Sequence, residues 1–232
     1  MTVTPPALPG ADDLLSRPIV LVVGLALVSM LPFAFMAVTS FVKIATVLQI
    51  VRSAIGAQGV PSSTVIMALA GALTVVTMMP VGEKIADRAR PLLAAKPTDT
   101  ASLVAGGIDA VREPLRDFLR ANASPTERAR FLDVARSARG HGGAAAASPD
   151  DLSVLVPAFI VTELGRAFAM GFLVYLPFLV IDLVVANVLL ALGMQMMTPT
   201  QVSLPFKLLL FVAIDGWGLL ARSLTSGYVV GP

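Results

Sequence analysis

The chain has 232 residues, of which 56% are hydrophobic, and its mean hydropathy is +0.83. It is more apolar than a soluble domain of this size needs to be, so the composition indicates a membrane protein. A net charge of +2 without a basic stripe gives no support for nucleic-acid binding. The sequence has no cysteine, and its one histidine, His141, lies in a Gly/Ala-rich segment. Disulfides and cysteine nucleophiles are excluded, and a metal site is disfavoured.

The first segment, residues 1–17, contains three prolines and a single basic residue, Arg17. It lacks the basic start, the short apolar core and the small-residue cleavage site of a secretory signal. We expect a flexible, uncleaved N-terminus.

Two apolar blocks follow, residues 18–42 and 60–82, and neither contains a charged residue. As helices, both are long enough to cross a hydrocarbon layer about 30 Å thick. Lys43 and Arg52 lie between them, on a stretch where Ile44, Val47, Leu48 and Val51 repeat at helical spacing. These two cations either reach to a membrane edge or pair inside an assembly. The pattern predicts an apolar helical hairpin over residues 18–82.

Residues 83–150 change character and carry many charges of both signs. An amphipathic stretch from Leu103 to Leu119 and a capping box from Ser124 to Glu127 predict two helices. A Gly/Ala-rich linker follows at residues 140–147. We interpret this segment as a small polar helical insert with a solvated surface.

Residues 151–232 form the second apolar region, interrupted by Pro157, Pro177 and Pro205. Proline removes a helical hydrogen bond, so the pattern predicts a bundle of helices broken at these positions. Charges are costly in an apolar environment and should therefore face protein or water. The charges concerned are Glu163, Arg166, Asp182, Lys207 and Asp215. The fold class expected for the whole chain is all-α and membrane-associated.

Each candidate site residue has a structural and a functional interpretation. Glu163 and Arg166 are three residues apart and can pair on one helix face. Asp182 and Asp215 are either structural hydrogen-bond acceptors or intramembrane proton carriers.

Met194, Met196 and Met197 follow Gly193, which is typical of a helix C-terminus. They are either core fillers or a deformable seal.

Four stretches carry a family resemblance: TSFVKIATVLQIVRSAIGAQGVPSS (39–63), PAFIVTELGRAFAMGF (157–172), LPFLVIDLVV (176–185) and SLPFKLLLFVAIDGW (203–217). In this order they resemble the FliP/SctR family, core export-gate subunits of flagellar and virulence type III secretion systems. Two positions depart from the family pattern. Ala169 replaces a polar or charged residue, and Gln195 interrupts a run of methionines.

The resemblance implies a ring of about five copies in the bacterial inner membrane, joined by FliR/SctT-type and FliQ/SctS-type subunits. It implies that Glu163 pairs with Lys207 of a neighbouring subunit and that the methionines form a gasket around unfolded polypeptides in transit.

The resemblance also implies that the polar insert lies in the periplasm. A count of charges favours the cytoplasm, but loops longer than about 60 residues escape that rule. The expected uncleaved N-terminus is more typical of the virulence members of the family.

Two alternatives to the export gate remain open. One is a stand-alone proton-coupled transporter that uses Asp182 and Asp215, and the other is a scaffold without a pore. The sequence contains no phosphate-binding loop, HExxH motif or nucleophile elbow. We therefore expect no enzymatic activity, no cofactor and no metal.

Overall fold

The computed structural model describes residues 11–57, 59–94, 100–139, 147–194 and 196–229. Within these ranges it contains eight helices and no strand, which confirms the all-α class. The helices are α1 (Ala11–Val38), α2 (Phe41–Ile55), α3 (Ser63–Ala94), α4 (Thr100–Asn122), α5 (Pro125–Arg139), α6 (Leu152–Ala191), α7 (Pro199–Ala213) and α8 (Gly216–Thr225).

The chain divides into two compact units, residues 1–36 and 37–232. In the first unit, α1 begins at Ala11, so residues 11–17 of the segment expected to be flexible are helical. Residues 1–10 lie outside the described part. From Val22 to Phe35, the large apolar side chains for which burial is described are exposed.

The core of the second unit is built around α2. Ile44, Val47, Leu48 and Val51 are fully buried, as their helical spacing predicts. Side chains from α3, α6, α7 and α8 pack around them: Ile66, Ala70, Ala167, Phe178, Phe211, Leu220 and Leu224. A second cluster joins α3, α4 and α6 through Val81, Phe118, Leu119, Ala123, Leu155, Ala158 and Phe159. The two clusters make α6 the neighbour of both the apolar helices and the polar insert.

The packing of α6 against α2 depends on a glycine. A Cβ atom at Gly171 would lie 2.5 Å from Cδ1 of Ile50, so the two helix backbones approach closely there. Small residues permit such contacts between apolar helices.

Two helices extend further than the sequence pattern predicts. α3 continues past residue 82 into the charged region, with Pro80 inside it. α6 runs uninterrupted for 40 residues with Pro157 and Pro177 inside it, a length of about 60 Å. The apolar run is therefore not cut at these prolines, nor at Pro205, which lies inside α7. α6 ends at Ala191, and Gly193 just beyond it has a backbone φ of 73°, which is strained for any residue with a side chain.

Several of the described helices are apolar enough to cross a membrane. By length and hydropathy, Ser63–Leu92 and Leu152–Ala191 qualify alone. The pairs Gly24–Val38 with Phe41–Ile55 and Pro199–Ala213 with Gly216–Thr225 qualify when each is counted as one span. The described residues thus offer two to four candidate spans.

Candidate functional site

The charged residues inside the apolar region form two networks. The first is centred on Glu163 of α6, which is fully buried. Its Oε1 accepts a hydrogen bond from Nη1 of Arg166 at 2.9 Å, one helical turn away. Its Oε2 accepts a short hydrogen bond from the Tyr228 hydroxyl and lies 3.7 Å from Nζ of Lys43. Two cations, Arg166 and Lys43, therefore balance the charge of the carboxylate, and the Tyr228 hydroxyl helps to orient it.

Lys43 of α2 contributes a second contact to this network. Its Nζ lies 3.6 Å from the centroid of the Tyr228 ring, a distance typical of a cation–π interaction. Lys43 is buried, and therefore pairs inside the subunit rather than reaching to a membrane edge. Burial, together with the Glu163 carboxylate, raises the pKa of the Tyr228 hydroxyl. Tyr228 consequently remains a hydrogen-bond donor at physiological pH.

The second network is centred on Lys207 of α7. Its Nζ lies 2.6 Å from Oδ2 of Asp182 on α6 and donates to the backbone oxygen of Ala54 at 3.2 Å. The Ser203 hydroxyl donates to Oδ1 of Asp182 at 2.5 Å. Lys207 and Ser203 are buried, whereas the Asp182 side chain is 29% exposed. The network ties α7 to α6 and to the end of α2.

The predicted pair between Glu163 and Lys207 has to be compared with these contacts. Within one chain, Glu163 pairs with Arg166 and Lys43, whereas Lys207 pairs with Asp182. The local pair of Glu163 with Arg166, the structural interpretation, is thus present. A pair between subunits would require an exchange of partners, and it stays a prediction.

The remaining predicted charges have different surroundings. Nε of Arg52 donates to the backbone oxygen of Pro61 at 2.7 Å, and Arg52 is partly buried. The Arg166 side chain is 47% exposed, and Asp215 is also exposed. In the single chain Arg166 and Asp215 thus face water, one of the two surroundings expected for them, and their burial in the assembled protein stays a prediction.

The positions of Arg166 and Asp215 in the fold explain why both side chains are exposed. Arg166 extends from the buried face of α6 toward the surface, where its Nη1 donates to the backbone oxygen of Asn122 at 3.0 Å. Asp215 occupies the turn before α8, with a left-handed φ of 51°.

The three predicted gasket methionines lie in the turn between α6 and α7. The turn begins with a Schellman motif, in which the Gly193 amide donates to Leu190 and the Met194 amide to Leu189. All three side chains are exposed, and Met196 is fully so. Gln195 lies outside the described residues. The methionines therefore fill no core within this chain.

The methionine turn and the Lys207 network are connected along the chain. Asp182 precedes the turn on α6, Lys207 follows it on α7, and their ion pair holds the two helices together on either side of it. The turn is thus presented by a fastened helical hairpin. Among the described residues, no group of three His, Cys, Asp or Glu side chains is placed to hold a metal ion.

Comparison with known proteins identifies the family. A model of the FliP family matches residues 24–224, which is most of the chain. The chain belongs to the FliP family.

Three of its relatives align over 79–96% of their own lengths. The Hypersensitivity response secretion protein HrcR of Ralstonia nicotianae is 43% identical over 208 residues, covering 90% of this chain and 96% of that protein. The Yop proteins translocation protein R of Yersinia pestis is 41% identical over 210 residues, covering 90% and 95%. The Flagellar biosynthetic protein FliP of Caulobacter vibrioides is 40% identical over 219 residues, covering 94% and 79%.

Three residues of this FliP-family chain belong to the networks but were not found from the sequence. Ser203 and Asn122 are ordinary polar residues in their segments, and nothing in their spacing points to Asp182 or Arg166. Tyr228 offered a weak signal, because it is one of only two tyrosines and lies in a short, uncharged segment after the last apolar stretch.

Proposed function

We propose that this chain is a core subunit of a type III secretion export gate in the bacterial inner membrane. About five copies assemble as a ring with FliR/SctT-type and FliQ/SctS-type subunits, with closed rotational symmetry as is usual for oligomers. The ring forms the pore through which unfolded polypeptides leave the cytoplasm, and the polar insert (α4 and α5) lies on the periplasmic side.

The family relationship supports the secretion role. The Ralstonia and Yersinia relatives are named as secretion and translocation proteins, and the Caulobacter relative is named as a flagellar biosynthetic protein. Each covers about nine-tenths of this chain or more, so the comparison concerns the whole protein rather than one segment.

The observation that carries the pore proposal is the exposed methionine turn. Three thioether side chains project from a turn that is fixed at its start by the Schellman motif and held by the Asp182–Lys207 pair. Methionine side chains are flexible and adapt to irregular surfaces. In a ring, such turns would meet at the axis, exclude water when the pore is closed, and yield to a passing chain.

Assembly in this proposal includes the pair of Glu163 with Lys207 between neighbouring subunits. Because both groups have partners in the single chain, Lys207 would leave Asp182 for the Glu163 of the next copy. Such an exchange would break the ion pair that holds α6 to α7 in the free subunit when the pair between subunits forms in the ring.

Cysteine crosslinking tests the geometry of the pore. The chain has no natural cysteine, so Met196→Cys introduces a single thiol at a fully exposed position. In the complex with its FliR- and FliQ-type partners, this thiol should form disulfides between copies on oxidation. Met79→Cys, on α3 and also exposed, is the matched control and should form fewer.

Native mass spectrometry of the same complexes gives the stoichiometry. An oligomer near five copies that gains the partner subunits is expected. A monomer or dimer that ignores these partners, or equal crosslinking at both positions, would contradict the export gate.

A further inference from the structure

Two residues that follow α8, Tyr228 and Val229, lie against parts of three helices. We call these two residues the strap. The Tyr228 ring stacks on Phe118 of α4 with centroids 5.9 Å apart. Its hydroxyl donates to Glu163 of α6, and its face lies under the ammonium of Lys43 of α2. One side chain thus contacts both the polar insert and the apolar helices.

The second residue of the strap is held by Asn122, the last residue of α4. The Asn122 Nδ2 donates to the Val229 oxygen at 2.8 Å, and its Oδ1 accepts from the Val229 amide at 3.1 Å. Nδ2 also donates to the Phe118 oxygen at 2.9 Å. The Asn122 side chain is buried, whereas Val229 is exposed, so the two bonds between them are partly buried.

The Asn122 amide binds the strap as a second peptide group would, with one donor and one acceptor. Its hydrogen bonds to Val229 go to main-chain atoms, and Val229 itself is exposed. The position of the strap therefore depends on the Asn122 amide and on the Tyr228 side chain, and not on the side chain at position 229.

The two residues that bind the strap, Glu163 and Asn122, are connected through α6. Arg166, which binds Glu163, also donates to the backbone oxygen of Asn122. One turn earlier, the Thr162 hydroxyl accepts from the backbone amide of Ser124 at 3.0 Å, at the junction of α4 and α5. The Glu163 network and the end of α4 thus form one continuous set of hydrogen bonds, which the strap closes.

We propose that the strap fastens the polar helices α4 and α5 to the apolar helices α2 and α6, and so sets the position of the insert on the subunit. Tyr228 and Asn122 are its positioning residues. When the strap is released, the insert keeps its helices and its bonds to Thr162 and Arg166 of α6, but the α4–α5 junction loses the contacts made by Tyr228 and Val229 and is held less tightly. This inference concerns the single subunit and is independent of the proposed pore.

Hydrogen–deuterium exchange of the full-length subunit in detergent tests the proposal. In the unmodified protein the Val229 amide should be protected. Tyr228→Phe keeps the ring and removes the hydrogen bonds of the hydroxyl, one to the charged Glu163 and a longer one to the Ser40 backbone oxygen at 3.4 Å. It should speed exchange at Val229 and at residues 118–123 by about tenfold or more, the loss expected for such a bond. Tyr175→Phe, at the other tyrosine, should leave both segments unchanged.

A second pair of variants separates the strap from general loss of stability. Val229→Pro removes the amide that Asn122 binds, whereas Val229→Ala retains it. Only the proline variant should speed exchange at residues 118–123, while helix content and Trp217 fluorescence stay as in the unmodified protein. The proposal is overturned if Val229 exchanges freely in the unmodified protein, or if Tyr228→Phe and Val229→Pro leave residues 118–123 unchanged.

Discussion

The ammonium group of Lys207 lies 2.6 Å from the carboxylate of Asp182 in the same chain. The lysine is buried and also binds the backbone oxygen of Ala54, so one side chain joins α7 to α6 and α2. Within the free subunit, the charge in the SLPFKLLLF stretch thus has a structural role. This role has to be separated from any role in assembly.

The first prediction concerns the stability of the free subunit. Lys207→Met should destabilise it, because Asp182 loses its cation. The loss should stay below the about 3–5 kcal/mol typical of a broken buried pair, since Asp182 is partly exposed and water screens its charge. Adding Asp182→Asn should recover most of the loss. Denaturant unfolding in detergent measures both, and a double variant no more stable than Lys207→Met would contradict this explanation.

The second prediction separates pairing within the subunit from pairing between subunits. If Lys207 pairs with Glu163 of a neighbour in the ring, the swap Glu163→Lys with Lys207→Glu should restore some of the assembly that each single variant loses. If Lys207 keeps Asp182 in the ring, the swap Asp182→Lys with Lys207→Asp should restore it instead. Native mass spectrometry of the complex distinguishes the two outcomes. Full assembly of Glu163→Lys and Lys207→Glu as single variants would exclude the pair between subunits.

The third prediction concerns the buried charge at Lys43. Glu163→Gln keeps an acceptor for Tyr228 but removes the counterion of Lys43, which is buried. We expect a loss of stability of about 3–5 kcal/mol, as for other broken buried pairs. Lys43→Met in the same chain should return most of it, because no uncompensated buried charge then remains and the charge of Arg166 is 47% exposed to water. Thermal unfolding of the single and double variants provides the measurement. A double variant less stable than Glu163→Gln alone would show that Lys43 acts chiefly through the Tyr228 ring.

The fourth prediction concerns the methionine turn. Replacing Met194, Met196 and Met197 by alanine should leave the stability of the free subunit nearly unchanged, because all three are exposed. In the assembled complex the same variant should leak small solutes, which is measured as dye or ion flux through membrane vesicles. The matched control replaces three other exposed methionines, Met30, Met67 and Met79, and should remain tight. Unchanged permeability of the turn variant would count against the seal.

The fifth prediction concerns the contact between α6 and α2. Gly171→Leu should destabilise the subunit by about 1–3 kcal/mol, the usual cost of overpacking, because a Cβ there already meets Ile50 at 2.5 Å. Gly165→Leu, on the same helix, is the control, since a Cβ there has no atom within 4 Å among those described. It should be neutral or slightly stabilising through helix propensity. Chemical unfolding of the two free subunits compares them. Equal stability would show that α2 can move to accommodate the larger side chain.

The helical class and the core of α2 could be predicted from the sequence because both depend on local periodicity. Ile44, Val47, Leu48 and Val51 share one face of a helix, and that face is buried. The continuity of α6 could not be predicted as well. Pro157 and Pro177 disfavour a helix locally, yet the packing of α6 against its neighbours outweighs this penalty.

The charge partners illustrate a different limit. Glu163 and Arg166 are one turn apart, so their pair follows from spacing. Lys207 and Asp182 are separated by 25 positions, and Tyr228 and Glu163 by 65. Only the three-dimensional arrangement of the helices brings such residues together. The sequence shows that each buried charge needs a partner but not which partner it has.

The length of α6 has a consequence for how the subunit can be handled. At about 60 Å, the helix is twice as long as a hydrocarbon layer of about 30 Å is thick. A detergent belt or bilayer therefore covers only about half of it when the helix stands upright. The other half presents Phe and Leu side chains to water until a neighbouring protein surface covers them. Purified alone, the subunit should self-associate through this half, and co-production with its partners should give the more soluble preparation.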